Sequence, residues 1–452
     1  MMNEKWEEQF REQIHGFVET IEKFDKGEID RKAYKGISGG FGSYAQHDPS
    51  KHMLRLRMAG GNLTEKRLEF LTEAVRDYGV ELMKLTTCET VQLHNLKAEQ
   101  VPVLMEKAIA SEIYSRGGGG DNPRNIMMSP LSGVQKGEAF DVKPYAEAAA
   151  EYLLSIAGEI HMPRKLKVAF SNGADDSVHS AFRDMGFMAN PDGTFTLRIA
   201  GGCWRRYKMG ILVDEHVQTT EILYYIRAMI ETFCQHGNYE NRAKARTRFM
   251  QETLGTDGLK EAFLENVAKV KEKGGLDLHV EAKPVTKKGS GEISGKRVVA
   301  QKQPGLYAVA YHPIGGCLPA GKPAELLTLV REIPDAECRI APYETIYIIN
   351  LTADEAEKVL ETTNDGAQST FENSVACIGA AICQQGVRDS QAALRAAVEA
   401  VREAGIPDGA LPRICISGCP SSCLPDTRRQ PSVSRERQSL LTESRSPRLR
   451  CL

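Results

Sequence analysis

Apolar residues recur at three- and four-residue steps from the start of the chain. Trp6, Phe10, Ile14, Phe17, Val18, Ile21 and Phe24 share one face, which predicts an amphipathic helix. After the glycine-rich stretch KGISGGFGSYAQ, the segment HMLRLRMAGG predicts a strand with Met53, Leu54, Leu56 and Met58 as its apolar members, closed by Gly60-Gly61. TEKRLEFLTEAVRDYG returns to the helical period, with Thr64 as N-cap and Gly79 as stop. VELMKLTTCETVQLHNL reads as strand, and KAEQVPVLMEKAI as a second helix. Later, QTTEILYYIRAMIETFCQHG and RAKARTRFMQETLG read as helices ending in glycine, and EKGGLDLHVEAKPVTKKGSGEISGKR as a linker. A last helix, SQAALRAAVEAVREAG, is capped by Asp389 or Ser390 and stopped by Gly405.

This pattern repeats. Gly60, Leu63, Glu89, Thr90, Asn95 and Leu96 match Gly315, Leu318, Glu344, Thr345, Asn350 and Leu351 at a constant offset (344 − 89 = 255). A gapless offset over the whole strand–helix–strand unit predicts two copies of one α/β half-domain. A second echo sets KVAFSNGADDS against RICISGCPSSC, with Gly173 facing Cys419 and Ser177 facing Cys423. The chain therefore reads A–B–A′–B′, with cysteines only in the second B turn.

The chain has 452 residues, enough for two to four domains, with an ordinary 41% hydrophobic and 26% charged composition. A net charge of −2 points to neither nucleic acid nor a membrane surface. The charged N-terminus carries no apolar signal region, and no apolar run approaches the roughly 20 residues that span a bilayer. A cytoplasmic protein is expected.

The 11 cysteines are odd in number, which argues against a disulfide framework. Cys203, Cys234, Cys317, Cys338 and Cys415 sit among apolar or small neighbours and read as buried hydrophobes. Cys377 and Cys383 in one turn, and Cys419 and Cys423 in another, flank the last helix and can converge on one metal site. Small neighbours (Gly379, Ala380, Ala381, Gly418, Pro420) suit a bulky iron–sulfur cluster, whose thiolate spacing is loose. A zinc site is the second reading, and four unrelated buried cysteines the third.

ACIGAAIC followed by ISGCPSSC resembles the signature of sirohaem-containing sulfite and nitrite reductases, a family built as two pseudo-symmetric halves. The resemblance runs from about Tyr34 to Cys423. It implies an α+β fold, a pseudo-two-fold duplicated arrangement of ferredoxin-like half-domains and mixed-sheet cofactor-binding domains. The expected divisions are an N-terminal helix and lead-in (1–40), a first ferredoxin-like half-domain (41–115) and a first sirohaem-binding domain with linker (116–298). A second half-domain (299–366), an incomplete iron–sulfur/sirohaem domain (367–423) and an aberrant or disordered tail (424–452) follow.

The resemblance implies a four-iron four-sulfur cluster on Cys377, Cys383, Cys419 and Cys423, with Cys423 bridging to sirohaem. The implied activity is six-electron reduction of sulfite or nitrite, with electrons from a donor such as ferredoxin. GGGGDNPRNIMMSPLSG looks like the family's Asn-x-Arg-Asn stretch, which makes Arg124 a substrate- or sirohaem-facing arginine beside Asn122 and Asn125. MPRKLKVAFS resembles the segment with two active-site lysines, here Lys165 and Lys167, a pair that in the family leans towards sulfite, where nitrite enzymes more often keep one; without the resemblance, alternating lysines on an exposed strand edge is the favoured reading. Arg55 and Arg57 either serve sirohaem carboxylates or are solvated. The family's Thr-Thr-Arg-Gln becomes LTTCETVQLH, so Cys88 and Glu89 replace an arginine and a glutamine, and a thiol does not replace a guanidinium fork. His94 and Gln92 share that strand; for His94 an ordinary strand histidine is the simpler reading.

Leu424 to Leu452 holds seven Arg, no Lys, five Ser and three Pro, without any period. It reads as a shifted frame or truncated gene model in preference to a native disordered basic tail. The alternatives to a reductase are a non-catalytic or electron-relay relative with impaired cofactor binding, and a structural zinc protein.

Overall fold

Helix Met2–Asp25 forms where the first apolar stripe predicts it, burying Trp6, Phe10, Ile14, Phe17 and Ile21. The computed structural model describes residues 2–204, 206–419 and 450–451. Cys423 and nearly all of the tail, 424–449 and 452, lie outside the described residues.

The duplicated stretch builds two five-stranded sheets of one plan. Ser43–Ala45, His52–Leu56, Val91–Leu96 and Leu82–Leu85 lie side by side in the first; Val298–Ala300, Tyr307–Tyr311, Ile346–Leu351 and Glu337–Ile340 do so in the second. The fifth strand of each comes from the other half. Cys317–Leu318 pairs antiparallel with Lys84 and Met83, and Asn62–Leu63 with Arg339 and Cys338. This reciprocal exchange joins the halves over one apolar core, which includes Leu54, Leu71 and Val91 with Val309, Leu326 and Ile346.

The repeat extends to backbone conformation. Glu89 and Glu344 sit at hairpin tips with φ of 56° and 64°, and Asn95 and Asn350 have 59° and 64°. Such values are uncommon for side-chain-bearing residues. Gly61 and Gly316, which turn the chain into the exchanged strands, both have φ of 68°.

The first B unit is a mixed sheet in the order Ile211–Val217, Phe195–Ile199, Met185–Ala189, Val168–Ser171, Met127–Met128, its last three strands parallel. Helices Lys143–Ser155, Ile222–His236 and Gly255–Lys273 share its core through Ala149, Met229 and Phe263. In the second B unit, Val375–Ala376 pairs parallel with Cys415–Ser417, and helix Ser390–Glu403 lies between them in sequence. Its cap is Asp389, whose side chain accepts from the Ala392 N–H at 3.0 Å.

Two expectations change. RAKARTRFMQETLG is not one helix but two short 3-10 turns and the helical turn Met250–Thr253. Arg246 pairs with buried Asp184 at 2.8 Å and Thr247 Oγ1 donates to the same carboxylate, so tertiary bonds override the local period. Lys165 and Lys167 precede the strand Val168–Ser171 instead of lying within it, although Leu166 between them is buried and bridges to Pro123.

Candidate functional site

A cavity of about 310 Å³ opens where the first half-domain meets the second B unit. Cys377, Cys383 and Cys419 line one side; Arg55, Lys84, Gln92 and His94 line the other. The structure thus brings together three of the four predicted ligands. Cys423 lies outside the described residues, among which no three His, Cys, Asp or Glu side chains stand placed to hold a single metal ion.

The turns around these thiols are tightly wound. The Gly418 N–H donates to Cys377 Sγ at 3.2 Å, and Ser390 Oγ lies 3.0 Å from the same sulfur. A Cβ on Gly418 would stand 2.4 Å from the Arg388 carbonyl oxygen, so only glycine allows this approach. Burial raises the Cys383 thiol, and the neighbouring sulfurs of Cys419 and Cys377 add to the rise.

Opposite the thiols, Arg55 donates to the Gly118 carbonyl at 2.7 Å. With the Gln92 amide turned to satisfy both its atoms, its oxygen accepts from Arg55 at 2.8 and 2.9 Å and its nitrogen donates to His94 Nε2 at 3.2 Å. Burial, then Arg55 and Lys84, hold His94 neutral by lowering it to about 3. Arg124 donates to Gly118 O and Gly120 O at 2.8 and 2.7 Å, and its Nε has no partner. Burial, then Arg55, lowers it to about 10. Neither Arg55 nor Arg124 has a carboxylate partner among the described residues. Both are half-buried cations without counter-ions, so this face fits an anionic group.

Lys84 and Glu344, unmarked as site residues by sequence pattern, form a buried ion pair in the cavity wall. Lys84 belongs to the first half and Glu344 to the second; the strand exchange brings them together. Glu344 Oε2 has no partner, and burial, opposed by Lys84, raises its carboxyl to about 7.

The hairpin tip beside Arg124 carries Cys88. Burial alone would raise this thiol, but Lys167, which also hydrogen-bonds it, with Arg183 and Lys165, brings it down to about 6. The two predicted lysines therefore converge on a cysteine. Asn125 acts as a strut: its amide donates to Cys88 O at 3.0 Å and its oxygen accepts from the Met58 N–H at 3.0 Å. Asn122 donates to Gly119 O at 3.3 Å. Arg57 does not join Arg55. The strand ends at Leu56, Arg57 bridges to Tyr114, and its guanidinium donates to Arg116 O and Arg124 O at 2.9 and 3.0 Å.

Two family models match the chain. The nitrite/sulfite reductase ferredoxin-like half domain covers residues 44–111, and the nitrite and sulphite reductase 4Fe-4S domain covers 119–271. The second stretch contains Cys203 and Cys234 but none of the four predicted ligands. A chloroplastic ferredoxin–nitrite reductase of Arabidopsis thaliana is 26% identical over 420 residues, covering 89% of this chain and 70% of its own. A ferredoxin–nitrite reductase of Synechococcus elongatus is 26% identical over 392 residues, covering 83% and 74%. The structure of Mycobacterium tuberculosis NirA matches with a TM-score of 0.75 at 22% identity, over 94% of this chain and 82% of that one, and shows the same fold.

Proposed function

The chain belongs to the nitrite and sulfite reductase family, and from that premise we propose that it reduces a small oxyanion by six electrons, nitrite in preference to sulfite, using sirohaem and a four-iron four-sulfur cluster. The observation that carries this reading is one cavity with Cys377, Cys383 and Cys419 on one side and the half-buried Arg55, which has no carboxylate partner among the described residues, on the other. Cys377, Cys383, Cys419 and Cys423 would hold the cluster, while Arg55 and Arg124 would meet sirohaem carboxylates or substrate. Together the two groups supply single-electron steps at an iron centre.

The chain's own residues set the charge and the protons. In this reading Lys165 and Lys167 would hold the oxyanion and return protons as its oxygens leave. The Cys88 thiolate against Lys167 offsets one of those charges. A less positive face suits the monoanion nitrite better than doubly charged sulfite, in line with the nitrite reductases among its relatives.

An electron donor such as ferredoxin fits the cluster side. The loop Gln385–Arg388 is exposed there, and its neighbour Ile382 accepts from the His47 N–H at 2.8 Å, close to exposed Lys35 at the cavity mouth. Among the described residues no helix is long and apolar enough to cross a membrane, and a cytoplasmic site of action is part of the proposal.

Anaerobically purified protein should show sirohaem Soret and red bands and reduce nitrite with reduced viologen faster than sulfite. Cluster absorbance alone, persisting after sirohaem reconstitution, would replace this reading with an electron-relay relative. Faster sulfite reduction would reverse the substrate assignment.

A further inference from the structure

Two consecutive side chains at the start of the last helix hold Cys377. Ser390, buried at the first position of Ser390–Glu403, places its hydroxyl oxygen 2.7 Å from the Cys377 carbonyl oxygen and 3.0 Å from Cys377 Sγ. Gln391 donates through Nε2 to the same carbonyl at 3.1 Å, and to Ala376 O and Gly315 O at 2.9 and 3.0 Å. The turn of Cys377 and Cys383 lies directly against this corner. A Cβ on Gly379 would stand 2.8 Å from the Ser390 backbone nitrogen and 3.0 Å from its hydroxyl oxygen.

A hydroxyl has one hydrogen to give. A sulfur bound to iron has no proton to donate, so it and the carbonyl oxygen compete for that hydrogen. Gln391 decides the competition. It keeps the carbonyl bonded at 3.1 Å, which lets the hydroxyl turn to the sulfur without stranding a buried acceptor. Cys377 Sγ then accepts two hydrogen bonds, one from Ser390 Oγ and one from the Gly418 N–H at 3.2 Å.

The first B unit has no such arrangement among its described residues. Helix Lys143–Ser155 follows strand Met127–Met128 there, as Ser390–Glu403 follows Val375–Ala376. It opens on Lys143, whose ammonium donates to Glu337 at 2.8 Å, and on Pro144. The hydroxyl and amide at the helix start thus accompany the copy that carries the cysteines.

Hydrogen bonds to a ligand sulfur draw charge off it and stabilise an added electron, which raises a cluster's reduction potential. We propose that Ser390 is a positioning residue that tunes the iron–sulfur centre through Cys377 Sγ, with Gln391 holding the carbonyl that would otherwise take its hydroxyl. The proposal rests on the cluster reading above. Reduction adds one electron to the centre, and the hydroxyl hydrogen stays on its oxygen throughout.

The test is potentiometric titration of the anaerobically purified full-length holoprotein, followed by electron paramagnetic resonance of the reduced cluster, beside iron and sulfide analysis. Ser390→Ala should keep the parent's iron and move the cluster midpoint to more negative potential, lowering the reduction equilibrium about threefold or more. Gln391→Met leaves the carbonyl to take back the hydroxyl and should move the midpoint in the same direction. Ser417→Ala is the control: its hydroxyl donates to the Cys419 carbonyl at 3.1 Å, so its removal should leave the midpoint at the parent's value. An unmoved or raised midpoint in Ser390→Ala, or one matched by Ser417→Ala, overturns the tuning role. Iron lost from Ser390→Ala makes the hydroxyl a structural prop and overturns it equally. An unmoved Gln391→Met midpoint overturns the part given to Gln391. A parent without iron and sulfide fails the cluster reading itself, an outcome distinct from a loaded parent whose variants do not move.

Discussion

The Gly418 N–H donates to Cys377 Sγ at 3.2 Å. In the first B unit the Asn172 N–H donates to Ser129 Oγ at 3.1 Å in the corresponding turn, after strands paired the same way. A thiol in one copy occupies the place of a hydroxyl in the other. Backbone N–H donors at sulfur favour the thiolate that a cluster needs. Cys377→Ser should therefore keep the fold, because the first copy already folds around serine, and lose iron. Cys415→Ser is the control: that thiol is fully buried, burial pushes it up to about 11, and it does not line the cavity. Iron and sulfide analysis beside circular dichroism checks both; iron retained by Cys377→Ser removes it from the ligand set.

The Cys88 assignment gives a titration. A thiol lowered to about 6 is mostly thiolate at neutral pH. Alkylation of Cys88, followed by peptide mass spectrometry, should reach half its maximal rate near that pH. Lys167→Met should move the midpoint up towards the ordinary thiol value of 9.0. An unmoved midpoint would show that Lys167 does not hold the thiolate.

The two glycine turns set the geometry of the strand exchange. A Cβ on Gly61 would stand 2.4 Å from the Ile340 carbonyl oxygen, and one on Gly316 would stand 2.2 Å from Glu344 Oε2, both at φ of 68°. Gly27, at φ of 74°, has nothing within 4 Å of its Cβ position. Gly27→Ala should cost about 1 kcal/mol from backbone strain alone. Gly61→Ala and Gly316→Ala should each cost several times more, because backbone or a buried ion pair must move. Denaturant midpoints at equal m-values read the difference.

These turns also mark how far the sequence is legible. The constant offset of 255 residues carries through to matching φ values and sheet orders, because local strain and hydrophobic period are properties of short stretches. Cys377, Cys383, Cys419 and Arg55 could be picked out for the same reason: each stands in a recognisable turn or strand. What could not be read depends on distant pairing. Lys84 and Glu344 belong to different halves and meet only because the fifth strands are exchanged. Arg57 repeats Arg55 at two residues' distance, yet leaves its face because the strand ends before it. Cys88 could be seen as a departure from the family, but its thiolate character depends on Lys165, Lys167 and Arg183 arriving from the next domain.

The Lys84–Glu344 pair yields a prediction whose sign depends on pH. Both side chains are under 5% exposed and come from different halves. Removing one partner of such a pair costs about 3–5 kcal/mol, because it strands a buried charge. Lys84→Met should therefore be strongly destabilising at about pH 8, where the unfolded chain ionises Glu344 and the fold, without Lys84, must bury that charge alone or take up a proton. Burial raises that carboxyl to about 7, from 4.5 in the unfolded chain. Between these values the folded state holds a proton that the unfolded state has lost. The contribution of Glu344 to stability is thus greatest below pH 4.5 and is lost as pH rises to about 7. The Lys84→Met penalty should shrink on moving to about pH 5, where the stranded carboxyl is neutral. Lys84→Met/Glu344→Leu should recover most of the loss at the higher pH. Thermal unfolding of the parent and the two variants at both pH values tests this; a Lys84→Met penalty equal at both would mean that Glu344 is ionised throughout and that Lys84 outweighs burial.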